Sequence, residues 1–159
     1  MSKIIYTESK KLYLGDMFDA NNDTELTQNN ISTIICVAEG VKVNQLSNTN
    51  IQVYQYNLQD TDNCNISVYF DEIADIIHKK DGVLVNCAAG ISRSATIVIA
   101  YIMKYYNLTL KQAFLYVRKK RNQICPNKTF MKYLLEYENK LFGNNSLTYD
   151  ECVRLFFYT

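Results

Sequence analysis

Val83-Leu84-Val85-Asn86-Cys87-Ala88-Ala89-Gly90-Ile91-Ser92-Arg93-Ser94, running on into Ala95-Thr96-Ile97-Val98-Ile99-Ala100, decides how this chain is read. A short apolar run, a turn containing glycine and a longer apolar run predict a buried strand, a tight turn and a helix. Backbone N–H groups of such a turn, and of the helix N-terminus after it, face one concavity and favour an anion. Arg93 adds a planar fork that can grip two phosphate oxygens together. Cys87, held in the same field, should give up its proton more readily than an isolated thiol. Gly90 allows a turn with positive φ and a close approach of backbone to ligand. A thiolate facing a bound phosphate is a nucleophile for phosphoryl transfer. The expected phosphate-binding residues are Ala88, Ala89, Gly90, Ile91, Ser92 and Arg93. Ser94 has two compatible readings, as a hydrogen-bond partner of the departing thiolate and as a cap of the next helix.

Expelling an alkoxide or phenoxide from a phosphate ester needs a proton donor, and the chain offers two carboxylates upstream, Asp60 and Asp62. Either can protonate the leaving oxygen and then, ionised, activate the water that attacks the thiophosphate. Spacing alone leaves both open, along with the plain reading that both are solvated turn acids.

The string Cys-x-x-Gly-x-x-Arg-Ser after a hydrophobic strand resembles the signature of the cysteine-dependent protein phosphatases, and its fuller form resembles their small dual-specificity branch. Leu12-Tyr13-Leu14-Gly15 is similar to that family's first strand and turn. Leu58-Gln59-Asp60-Thr61-Asp62, followed by Ile66-Ser67-Val68-Tyr69-Phe70, resembles its general-acid loop and next helix, which favours Asp60 over Asp62. Pro126-Asn127 with Phe130 resembles the segment that enters its last core helix. The resemblance spans roughly residues 10–142. It implies a protein phosphatase with Cys87 as nucleophile, Arg93 and the loop amides on the equatorial oxygens, and Asp60 as acid, without metal or organic cofactor. The family places histidine before the nucleophile, where it orients the loop and favours the thiolate. This chain has Asn86, whose amide hydrogen-bonds but carries no charge, so lowered activity is expected.

At 159 residues the chain fits one domain with a substantial core. A net charge of +1 argues against extended nucleic-acid binding. The start, Met1-Ser2-Lys3-Ile4-Ile5-Tyr6, is too short and polar to read as a signal peptide. No apolar run is long enough to predict a membrane span. Cys36, Cys64, Cys87, Cys125 and Cys152 are odd in number and lack disulfide-framework or zinc-site spacing. A reducing compartment, cytoplasm or nucleus, is expected. Cys36 reads as a buried small hydrophobe. Cys64, close in sequence to Asp60, reads either as a surface-loop cysteine or as a thiol that reaches Cys87 on oxidation.

Residues 1–16 predict an N-terminal strand with a turn at Gly15-Asp16, and residues 19–30 a loop or short helix. Strands are predicted at 31–37, 51–56 and 83–86, and helices at 67–79 with Ser67 as cap, 94–106, 110–121 and 130–141. Thr109 and Gln112 suit a capping box, and Gly143 a helix stop. Strands alternating with helices predict an α/β three-layer sandwich around a mostly parallel sheet of about five strands. The phosphatase domain is assigned to residues 1–143 and a C-terminal tail to 144–159. The apolar Leu155-Phe156-Phe157-Tyr158 should fold back onto the domain or pack against a second copy as a homodimer. His78 suits a helix C-terminus. The basic run Arg118-Lys119-Lys120-Arg121 reads as a solvated helix end or an attractor of acidic phosphosubstrates.

Phosphoproteins are the expected partners. Two alternatives stand beside hydrolysis of phosphotyrosine and phosphoserine/threonine. A phosphoprotein-binding relative with little or no turnover rests on Asn86 alone. An RNA 5′-triphosphatase is opposed by the near-neutral charge and by the Ala88-Ala89 pair.

Overall fold

The computed structural model describes residues 1–44 and 50–159. Its apolar runs pair into a five-stranded sheet of order β1-β2-β5-β3-β4, with β1 Ser2–Tyr6, β2 Lys11–Gly15, β3 Thr33–Cys36, β4 Gln52–Gln55 and β5 Val83–Asn86. β1 and β2 are antiparallel, and the other three pairings are parallel. The predicted central strand is central: all four residues of β5 are buried, as a parallel strand covered on both faces requires.

The helices are α1 Asp23–Gln28, α2 Phe70–Lys79, α3 Arg93–Tyr106, α4 Leu110–Lys120, α5 Lys128–Phe142 and α6 Tyr149–Tyr158. They divide unequally over the two faces. A small cluster of Tyr13, Ala20, Leu26, Ile31, Ile34 and Leu84 lies on the α1 side. The main core lies on the other, around α3, whose residues from Ser94 to Met103 are all buried. This is the three-layer α/β sandwich that the alternation of elements predicts.

The first 16 residues hold two strands where one was expected. Thr7 turns the chain, its N–H donating to the Lys10 carbonyl (2.8 Å) and its hydroxyl accepting from the Lys10 N–H (3.0 Å). The Lys10 ammonium then donates to the Ile77 and Lys80 carbonyls at the end of α2, and burial pulls its pKa down. Ser67 is not the cap expected for α2. The Asn65 side chain accepts from the Ser67 N–H (3.2 Å) and opens a 3-10 turn, Ile66–Tyr69, that leads into α2. The Thr109/Gln112 capping box is present, and Gly143 stops α5 in the left-handed conformation.

α5 is not the last helix. Thr148 and Glu151 form a second capping box that starts α6. The tail folds back: the Phe156 ring stacks on Phe114 of α4 at 3.8 Å, and Cys152 is buried, its thiol pushed up to about 12 by desolvation. The buried Glu138 carboxylate ties this corner together. It accepts from the Leu110 N–H (2.7 Å) and the Ser146 N–H (3.0 Å) and hydroxyl (2.6 Å). Phe157 and Tyr158 stay exposed. No helix among the described residues is long and apolar enough to cross a membrane.

Candidate active site

The loop after β5 leaves the sheet at the carboxyl end of its middle strand, where open parallel sheets place their ligands. Asn86 is aligned with Gly15 of β2 on one side and Cys36 of β3 on the other. Cys87, 1% exposed, therefore sits at the bottom of the loop. Its Sγ accepts from the Gly90 N–H at 3.2 Å and lies 3.1 Å from Ser94 Oγ. Gly90 has φ +66°, and a Cβ there would come within 2.7 Å of the Gly15 carbonyl oxygen, so the close wrap of this loop requires glycine.

α3 begins at Arg93, so the unpaired N–H groups of its first turn open toward the loop. Arg93 Nη1 donates to the Leu58 carbonyl at 2.9 Å, while its buried Nε has no partner among the described residues. One corner of the fork is thus fixed to the segment that leads into Asp60, and donor capacity is left for a ligand.

The two upstream carboxylates have different partners. Asp60 Oδ1 accepts from Ser92 Oγ (2.8 Å) and from Asn127 Nδ2 (2.8 Å). Asn127 also donates its backbone N–H to Ser92 Oγ (3.0 Å), and its Oδ1 caps α5 at the Phe130 N–H (2.8 Å). Asp60, the phosphate loop and the start of α5 thus form one hydrogen-bonded set. Asp62 instead accepts from Thr129 Oγ1 (3.0 Å). Of the expected phosphate ligands, Ser92 has its hydroxyl committed to this set, leaving its backbone for an anion.

Asn86 is fully buried. Its Nδ2 donates weakly to Cys36 Sγ (3.6 Å) and to the Cys87 carbonyl (3.4 Å), and its Oδ1 lacks a partner among the described residues. Cys36, buried as expected, has its thiol pKa raised by desolvation. Asn86 thus links the Cys36 thiol to the base of the loop. Cys64 lies half-buried in the turn closed by its N–H to the Thr61 carbonyl (3.3 Å).

Two functional positions escaped the sequence reading. In the sequence Asn127 reads as part of a helix entrance, although asparagine after proline at a helix start is a cap signal. Arg121 reads in the sequence as one of a basic run, yet it is 8% exposed and donates from Nε to the Gly90 carbonyl (2.8 Å). Arg118 is committed as well, donating to the Leu155 carbonyl (2.8 Å). Of the run, Arg118 and Arg121 are thus held within the fold, while Lys119 and Lys120 are exposed as a solvated helix end would be. His78, in the last turn of α2, stacks on Tyr105 at 3.8 Å and lies outside the site.

A buried cysteine at the base of a loop between the central parallel strand and a helix N-terminus is the arrangement expected of the cysteine-dependent phosphatases. The family model for the dual specificity phosphatase catalytic domain matches residues 12–140. Human dual specificity protein phosphatase 18 is 39% identical over 143 residues, which cover 87% of this chain and 75% of that protein. Mouse dual specificity protein phosphatase 14 is 38% identical, with 87% and 71% covered. Among solved structures, human tyrosine phosphatase-like serine/threonine/tyrosine-interacting protein superposes with a TM-score of 0.78 at 31% identity, covering 88% of this chain and 96% of the other. Human DUSP28 shares the fold with a TM-score of 0.79 at 22% identity, covering 88% and 93%. The chain belongs to the dual specificity protein phosphatases, and it is a phosphoric monoester hydrolase acting on phosphoproteins.

Proposed function

We propose that the chain removes phosphate from tyrosine and from serine or threonine side chains of proteins through a cysteinyl-phosphate on Cys87. The observation that carries this reading is the joining of Asp60 to the Cys87 loop through Ser92 and Asn127. Cys87 Sγ attacks phosphorus as the ester P–O bond breaks. Arg93 and the loop amides hold the three equatorial oxygens, where preorganised donors are worth most. Asp60 gives its proton to the leaving oxygen, using Oδ2, since Oδ1 already accepts two hydrogen bonds. Water then attacks the phosphocysteine, Asp60 takes a proton from it, and Ser94 Oγ hydrogen-bonds the departing thiolate. Residues 1–143 form the catalytic domain in this reading, with residues 144–159 an appendage packed on α4. Five free cysteines support a reducing compartment, cytoplasm or nucleus.

Asn86 favours a second reading, a phosphoprotein binder with little turnover, and the intact Cys87, Arg93 and Asp60 oppose it. The test is rapid mixing with phosphotyrosine and phosphothreonine peptides in the presence of a chelator. Hydrolysis of both with a burst of dephosphorylated peptide stoichiometric with enzyme is expected. Tight binding with neither burst nor turnover would replace the hydrolase with the binder.

A further inference from the structure

Between β1 and the helices lies a groove of about 400 Å³ that phosphoryl transfer does not use. That is within the size range of small-molecule sites. Its floor is aliphatic, built by Ile4, Ile5, Ile102 and Leu108. Two cations belong to its lining, each held on an aromatic face: Lys3 Nζ 4.6 Å from the Tyr6 ring centroid and Lys120 Nζ 5.7 Å from that of Tyr116. No Asp or Glu is among the residues lining the groove. Neither lysine forms an ion pair among the described residues.

An aliphatic floor with uncompensated cations fits a single hydrocarbon chain ending in an anion. A peptide strand fits less well. β1 is an edge strand, but its Ile4 carbonyl already accepts the Tyr116 hydroxyl at 2.8 Å, which closes the edge to ladder pairing there.

The groove is also connected to the phosphate loop. Arg121, next to Lys120, donates from Nη1 to Ser2 Oγ (3.1 Å), next to Lys3, and from Nε to the Gly90 carbonyl (2.8 Å). We propose that this groove is an effector site for a long-chain carboxylate, its head at Lys3 and Lys120, and that occupation loosens the phosphate loop through Arg121. A chain wedged between β1 and α4 pulls on the Ser2–Arg121 link and so on the hold over Gly90. Effector and oxyanion should then weaken each other's binding by the same factor.

Isothermal titration of the intact protein with octanoate, decanoate and dodecanoate, each below its micelle concentration, tests the site. One saturable site is expected, tightening by about fourfold per added methylene. Decanol and butanoate should bind far more weakly. Lys3→Gln/Lys120→Gln should weaken decanoate by about tenfold and leave effector-free phosphatase activity unchanged. Leu108→Trp should fill the groove and remove binding, with an unchanged thermal transition as the folding control. Saturating orthovanadate should weaken dodecanoate, and Arg121→Met should abolish that effect. The proposal is overturned by absence of saturable binding, by equal affinity for decanol and decanoate, or by an unaffected lysine double variant. Equal dodecanoate affinity with and without orthovanadate overturns the link through Arg121. The titrations need no turnover, so they stand apart from any failure of the phosphatase reading.

Discussion

Cys87 and Asp60 are placed by different means. The cysteine loop is clamped through its backbone from four sides: the Asn86 carbonyl by the Val37 N–H (2.9 Å), Ala88 by Met17 (3.1 Å), Ile91 by Cys125 (2.8 Å), and Gly90 by the Arg121 side chain. Asp60 is exposed, and the bonds that tie its carboxylate to the loop come from two side chains, Ser92 and Asn127. The proposed nucleophile is thus fixed by burial and main-chain pairing, the proposed acid by two side-chain contacts that single substitutions remove one at a time. Changes on the loop should strike every substrate. Changes on the acid side should depend on how badly the leaving group needs a proton.

The largest effect should come from the loop. Cys87→Ser should lower turnover by about 10⁴-fold or more on all esters while leaving phosphate-ester binding in place. Arg93→Lys should also fail on all esters, because an ammonium cannot reproduce the planar fork. Steady-state rates and equilibrium binding on one panel of esters check both, and near-normal rates in either variant break the account of the loop.

Asp60→Asn should come next, slowing alkyl phosphates by roughly 10²–10⁴-fold but sparing aryl esters with very acidic leaving groups. Asp62→Asn, whose partner is Thr129, should do little. The reverse pattern in a leaving-group series would move the acid from Asp60 to Asp62.

Ser92→Ala and Asn127→Ser should reproduce the Asp60 pattern at smaller size, about tenfold on poor leaving groups, since a misplaced acid still donates. Asn127→Ser removes the amide donor to Asp60 but keeps a side-chain oxygen for the α5 cap, so its melting temperature should change little. Equal slowing of good and poor leaving groups would mean that these residues serve the loop rather than the acid.

The smallest effect belongs to a carboxylate remote from this chemistry. The Tyr137 hydroxyl, then Lys140 and Lys104, hold the Asp71 carboxyl down at about 2. A depressed folded-state pKa stabilises the fold above the unfolded value near ~4 and loses that contribution as pH falls through the folded one. The carboxylate is 49% exposed, so screening leaves it under about 1 kcal/mol. Urea midpoints of Asp71→Asn should fall below wild type near neutral pH and converge with it toward pH ~2. Rates on every ester should be unaltered.

The same contrast explains what the sequence disclosed. The loop is a contiguous string whose glycine, arginine and flanking apolar runs each have a local reason, so strand, turn and helix follow from periodicity. Spacing could not distinguish Asp60 from Asp62 because the partners that join Asp60 to the loop, Ser92 and Asn127, lie 32 and 67 positions away. Arg121 hid in a basic run because burial of a guanidinium depends on where β1 and the loop carbonyl lie, not on its neighbours in the chain. The two strands of the first 16 residues read as one because the turn between them, Thr7-Glu8-Ser9-Lys10, carries no glycine, proline or Asn-Gly signal and is closed instead by the Thr7 N–H and hydroxyl. The last helix was missed although Thr148 and Glu151 have capping-box spacing, since the partner of its apolar face, Phe114, lies in a separate helix.

Acid quench of the enzyme during turnover of a phosphotyrosine peptide, followed by mass mapping of its proteolytic fragments, tests the central claim most directly. The account predicts one phosphate on the fragment containing Cys87, accumulating in Ser94→Ala, where the departing thiolate loses its hydrogen-bond partner, and absent in Cys87→Ser. Active turnover with no phosphate on that fragment, or phosphate on another residue, would contradict it.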